Sequence, residues 1–145
     1  MYRIPRYKIM LVREGSHQAE VRNISCPQDA LPVMRSYLEG ADREHFAAIL
    51  LDTKNRIIGI HTVSIGALNT SIVHPREVFK AAILANAAGI IVSHNHPSGD
   101  ATPSEDDKAV TQRLRDAGTI LGITVLDHIV IGEGGYFSFK AQGLI

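Results

Sequence analysis

The chain has 145 residues, 45% hydrophobic and 21% charged, which suits a globular domain with a core and excludes a disordered or low-complexity chain. Fifteen basic side chains balance fifteen acidic ones, so no net positive charge favours a nucleic-acid duplex. A single cysteine excludes an intrachain disulfide framework. With no leader-like opening and no apolar run near the roughly 20 residues of a bilayer span, the expectation is one cytoplasmic domain over residues 1–145, without membrane contact.

Residues 1–22 read as an N-terminal β-hairpin ahead of a core at 23–145, with "YKIMLVRE" and "AEVRNIS" as strands around Gly15-Ser16. Arg3, Arg6, Lys8 and Arg13 make this region basic, as solvated charges on an edge strand do. Cys26 is expected as a small buried hydrophobe. "CPQDALPVMRSYLEG" follows as a helix, with Pro27 early, Pro32 as its awkward residue and Gly40 at its end. "EHFAAILLD" is nearly all apolar, as a doubly buried strand is, and "RIIGIHTVSIG" returns as its partner after the "TKN" turn.

"HPREVFKAAILANAAG" predicts a second helix, with Pro75 in its first turn and Gly89 as its stop. "GIIVSHNH" is another strand. The loop "PSGDATP" ends it, and "SEDDKAVTQRLRDAG" predicts a third helix with capping-box spacing between Ser104 and Asp107. "ITVLDHIVIGE" and "YFSFKAQ" close the chain as a hairpin around Gly134-Gly135, and a long final strand with exposed edges would suit a homodimer. The fold class expected is α/β (α+β), a central mixed sheet flanked by two or three helices.

Chemistry concentrates in "SHNHPSGDATPSEDD", residues 93–107. A strand alternates faces, so His94 and His96 point one way and Asn95 the other. Asp107 falls in the first turn of the next helix, where its carboxylate can face back toward the end of the strand. Two imidazoles and one carboxylate leave a fourth tetrahedral position, as a catalytic zinc requires, and that donor set suits zinc better than calcium or magnesium. Each residue also has a plainer purpose. His-x-His arises by chance among seven histidines, Asp107 favours a helix dipole, and Ser104 is an ordinary N-cap.

"HNHPSGDATPSEDD" resembles the signature of the JAMM (MPN+) zinc metalloproteases: His-x-His, seven residues, Ser, two residues, Asp. "LDTKNRIIG", "NTSIVHPREVFKAAILANAAGIIVSHNHPSGD" and "LDHIVIG" resemble their bacterial RadC branch, over roughly residues 20–145. The resemblance implies a cytidine-deaminase-like JAMM/MPN domain with Zn2+ held by His94, His96 and Asp107 and a water as the fourth ligand. It places Ser104 where a serine helps to hold an oxyanion. It also implies an upstream catalytic glutamate. Glu44, at the opening of "EHFAAILLD", matches that setting better than Glu77, which sits inside a helix. Asn95 between the histidines marks the RadC branch. His128 and its neighbour Asp127 are candidates for orienting a ligand from behind, His128 being equally well read as a hydrogen-bonded histidine at the core's edge. His17 and His45 read as surface or edge residues, His61 has no partner spacing, and His74 belongs to a helix opening.

The activity implied is zinc-dependent hydrolysis of a peptide or isopeptide bond, with a peptide or protein as the partner. Two alternatives are a DNA-repair-associated accessory protein, after the label the RadC family carries, and a non-catalytic MPN interaction scaffold. Longer RadC proteins have a helix-hairpin-helix segment that this chain has no room for, so direct contact with nucleic acid is not expected.

Overall fold

The apolar runs lie side by side in one five-stranded sheet of order β2-β1-β3-β4-β5. The strands are β1 (His45–Leu51), β2 (Ile57–Ile65), β3 (Gly89–Asn95), β4 (Thr124–Ile131) and β5 (Tyr136–Ser138). Three helices accompany them, α1 (Pro27–Tyr37), α2 (Pro75–Leu84) and α3 (Glu105–Leu121). This is a computed structural model, and it describes residues 1–66 and 73–145. The sheet is mixed: β1 runs antiparallel to β2 and β3, β3 is parallel to β4, and β4 is antiparallel to β5. A parallel neighbour needs a crossover, and α3 supplies it between β3 and β4.

Strand alternation divides the core in two. Phe46, Ala48 and Leu50 of β1 with Ile90 and Val92 of β3 pack under Val78 and Phe79 of α2 and Val110 and Leu114 of α3. Ala47, Ile49, Leu51 and Ile91 face Ala30, Val33 and Met34 of α1. Sheet faces thus alternate residue by residue between α1 and the α2–α3 layer. His94 shares the parity of Ile90 and Val92, which aims it at the layer containing α3.

Several expectations need correction. Residues 1–22 form no hairpin: 1–19 are exposed and contain no strand, and the second predicted strand makes only an isolated bridge, Asn23 with Arg56 beside β2. A two-stranded ribbon is marginal unless a face packs on something, and Tyr7, Ile9, Met10 and Val12 are all exposed. Cys26 is exposed as well, at the N-cap of α1. Gly89 does not stop α2. That helix ends at Leu84, Asn86 takes the left-handed turn (φ 56°), and Gly89 opens β3. Likewise α3 runs through Gly118 to Leu121, and Gly122 (φ 73°) ends it. A Cβ on Gly118 would lie 2.4 Å from the Ile123 carbonyl oxygen, so this glycine serves close packing within the helix. The closing strand is short, β5 being three residues long. The long final strand expected there is therefore not formed.

The loop after β3 leans on the β4–β5 turn. Glu133 N–H donates to Gly99 O at 3.0 Å, and Arg35 of α1 donates to the carbonyls of Gly132 and Gly135, each at 3.3 Å. A Cβ on Gly132 would meet Gly99 O at 2.3 Å and Ala101 N at 2.9 Å, both rigid backbone. Gly132→Ala is therefore expected to lower the unfolding free energy by about 1–3 kcal/mol, measured by denaturant unfolding. Gly134→Ala meets nothing within 4 Å and is the control. Equal stabilities would show that the two loops separate freely.

Candidate metal centre

Two features bring His94 and His96 together. His94 ends the buried part of β3, and His96 continues alongside β4, its N–H donating to Ile131 O at 2.8 Å. Their Nε2 atoms lie 3.0 Å apart. Asp107 arrives from the first turn of α3, where a capping box fixes it. Ser104 Oγ accepts the Asp107 N–H at 3.0 Å, and Asp107 Oδ2 accepts the Ser104 N–H at 2.8 Å. The carboxylate then reaches both rings, Oδ1 at 3.2 Å from His94 Nε2 and Oδ2 at 3.1 Å from His96 Nε2. Glu44, just ahead of β1, places Oε1 at 3.9 Å from His94 Nε2 and 3.7 Å from His96 Nε2.

The hydrogen bonds behind the rings assign the tautomers. Thr111 gives its hydroxyl proton to the Asp107 carbonyl at 2.8 Å, so its oxygen can only accept from His128 Nδ1. His128 Nε2 is then a bare lone pair, and it accepts the Nδ1–H of His94 at 2.8 Å. That leaves a lone pair on His94 Nε2. His96 reaches the same state more simply, its Nδ1 donating to the Asp100 carbonyl at 2.7 Å. Both Nε2 lone pairs and the Asp107 carboxylate therefore face one point.

Burial alone would raise the pKa of Asp107, but a positive charge at the His94 position and the Ser104 N–H outweigh it and hold the carboxyl well below the usual range, so the site favours a cation against this carboxylate. Complete burial holds His128 well below the usual histidine range, so it is a neutral ring at neutral pH.

Three acceptors at 3.0–3.2 Å repel one another unless a cation sits among them. One proton bridges only one such line, whereas a metal ion serves all three. Ligand bonds of about 2.0 Å give a zinc tetrahedron edges of about 3.3 Å, within 0.3 Å of the Nε2–Nε2 separation and of the distance from each ring to its nearer carboxylate oxygen. The donors therefore fit zinc. Ligand-capable atoms of Glu44, His94 and His96 also lie within 4.8 Å of one another, so Glu44 is near enough to compete as a ligand.

Four of the sequence candidates, Glu44, His94, His96 and Asp107, thus converge, and Ser104 adjoins them as the N-cap. His128 lies behind His94. Asp127 does not: it has the parity of Ile129 and Ile131 and binds Ser138 Oγ and the N–H groups of His128 and Lys140. Neighbours on a strand face opposite ways, so one member of the Asp127–His128 pair had to miss the site. Glu77 is half-buried on α2, paired with Lys80 at 2.8 Å. Sequence reasoning missed Thr111, whose position one helical turn beyond Asp107 was the available signal. It also missed the Asp100 carbonyl, which no side-chain pattern reveals.

Thr111→Val keeps the shape of the side chain and removes its oxygen, leaving the His128 ring without its partner. Zinc affinity is expected to fall about 10–100-fold, the usual cost of losing a partner behind a metal-bound histidine. Nitrogen-15 NMR of the wild type should show His94 and His96 protonated on Nδ1, and the variant should lose that uniform pattern. Unchanged affinity and ring shifts would break the relay.

A family model described as RadC-like JAB domain matches residues 24–144. A UPF0758 protein of Desulforamulus reducens is 54% identical over 134 residues, covering 92% of this chain and 59% of that protein. One from Caldanaerobacter subterraneus is 53% identical, covering 88% of this chain and 55% of the relative. The UPF0758 protein of Methanosarcina mazei is 49% identical, covering 86% of this chain and 54% of that protein. The chain thus spans little more than half the length of these curated relatives. The match covers nearly all the stretch that carried the resemblance.

Proposed function

The chain belongs to the family of RadC-like JAB domains, and on that premise we propose that it is a zinc-dependent hydrolase of amide bonds, acting on a peptide or isopeptide. The observation that carries this reading is the convergence of two imidazole lone pairs and a carboxylate with Glu44 beside them. Among protein side chains, His94, His96 and Asp107 would hold the ion. Zinc supplies what an unactivated amide needs, a water made acidic enough to ionise near neutral pH and a polarised carbonyl.

The chain's own groups do the rest. Glu44 lies close enough to both rings to take a proton from a water beside them and to pass it to the leaving amine. Ser104 Oγ is fixed by the Asp107 N–H it accepts. A hydroxyl that accepts one bond keeps its own proton to donate, so capping and oxyanion stabilisation are compatible. His128 and Thr111 hold His94 in the tautomer that faces the site.

The test is zinc-loaded chain incubated with a library of peptides and isopeptide-linked conjugates, with new amine termini read by mass spectrometry. Cleavage is expected that stops on chelation and returns with added zinc. A fully zinc-loaded chain that cleaves no member of the library would overturn the hydrolase reading and leave the metal site intact.

A further inference from the structure

Asn95 lies between the two histidines and points away from them, so it takes no part in the cluster itself. Its carboxamide instead spans the backbone around Glu44. Oδ1 accepts the N–H of His45 at 2.8 Å, and Nδ2 donates to the carbonyl of Arg43 at 3.0 Å. These are the groups immediately after and before Glu44. The β1–β3 ladder has its last pair at Phe46 and His94. A planar amide offering one acceptor and one donor imitates a peptide group, and Asn95 thereby extends the ladder one step past its end.

That step matters because Glu44 precedes the first residue of β1. Its own carbonyl is held by the Gly66 N–H at 2.7 Å, which secures one side of the segment. The carboxamide secures the other side from the strand that also carries both histidines. One strand thus sets the spacing between the rings and the carboxylate. Serine is too short to bridge both groups, and an aspartate has no donor for the Arg43 carbonyl.

We propose that Asn95 is a positioning residue for Glu44, clamping the backbone on either side of it so that its carboxylate stays beside His94 and His96. This rests on the catalytic reading of Glu44 given above. Misplacing a reacting group by 1 Å costs on the order of 100-fold in rate, whereas an ion ligated by His94, His96 and Asp107 depends far less on where Glu44 lies.

The experiment is crystal structures of the wild type, Asn95→Ala and Asn95→Asp, each grown with and without zinc, together with zinc affinity by calorimetry. In Asn95→Ala the Glu44 carboxylate is expected to move by about 1 Å or more while His94, His96 and Asp107 keep their places and zinc affinity stays within about threefold. Asn95→Asp keeps the acceptor for His45 and should move Glu44 less. A Glu44 that stays in place in Asn95→Ala would overturn the proposal. So would a common shift of Glu44 and both histidines with a tenfold or greater loss of zinc, since Asn95 would then merely hold the strand. If the wild type takes up no zinc, the hydrolase reading fails, and the zinc-free crystals still decide the role of Asn95.

Discussion

Asp107→Asn is expected to abolish zinc retention while leaving the chain folded. Asparagine has the volume of aspartate and keeps an oxygen for the Ser104 N–H, so the cap of α3 survives. Its amide nitrogen, however, presents donors where the carboxylate presented acceptors. With its oxygen kept at the Oδ2 position for Ser104, its nitrogen falls at the Oδ1 position and can donate to the His94 Nε2 lone pair, 3.2 Å away. A neutral hydrogen-bonded cluster then replaces the metal site. Affinity should fall by more than about 100-fold, because losing even a partner behind a ligand costs 10–100-fold. Calorimetry with zinc and a thermal melt of the zinc-free protein measure the two halves. Tight zinc binding by this variant would remove Asp107 from the ligand set.

Glu44→Gln should separate binding from chemistry. Glutamine keeps the size of the side chain and cannot carry a proton between water and amine. Hydrolysis should drop by about 10²–10⁴-fold, the usual range for a general base, with zinc affinity within about threefold of the parent. The affinity half of the result is decisive between two ligand sets. If Glu44 itself ligates with His94 and His96, whose atoms it approaches within 4.8 Å, affinity falls tenfold or more. If Asp107 completes the set, only the rate falls. A variant that hydrolyses at the parent rate would remove Glu44 from the mechanism.

Much of the fold and most of the site are legible in the sequence because they rest on short-range periodicity. Alternation along β3 puts His94 and His96 on one side, and capping-box spacing puts Asp107 in the first turn of α3, facing that side. What misleads is context. Residues 7–12 have strand-like composition, but a ribbon needs a face to pack on, and in the fold they are exposed. Gly118 looks like a helix stop and is instead required where α3 meets the carbonyl of Ile123. Asp127 and His128 read as one unit, yet strand alternation sends only His128 to the cluster. Asn95 looks like a spacer between ligands. Its purpose depends on the register of β1 against β3, a long-range pairing that no local pattern encodes.

The most direct test of the account is anomalous diffraction at the zinc edge from zinc-loaded crystals. The account predicts one strong peak about 2.0–2.2 Å from His94 Nε2, His96 Nε2 and an Asp107 oxygen, with no other protein atom closing the fourth position. A peak bound elsewhere, or none at this site with Asp107 hydrogen-bonded to protonated rings, would contradict it.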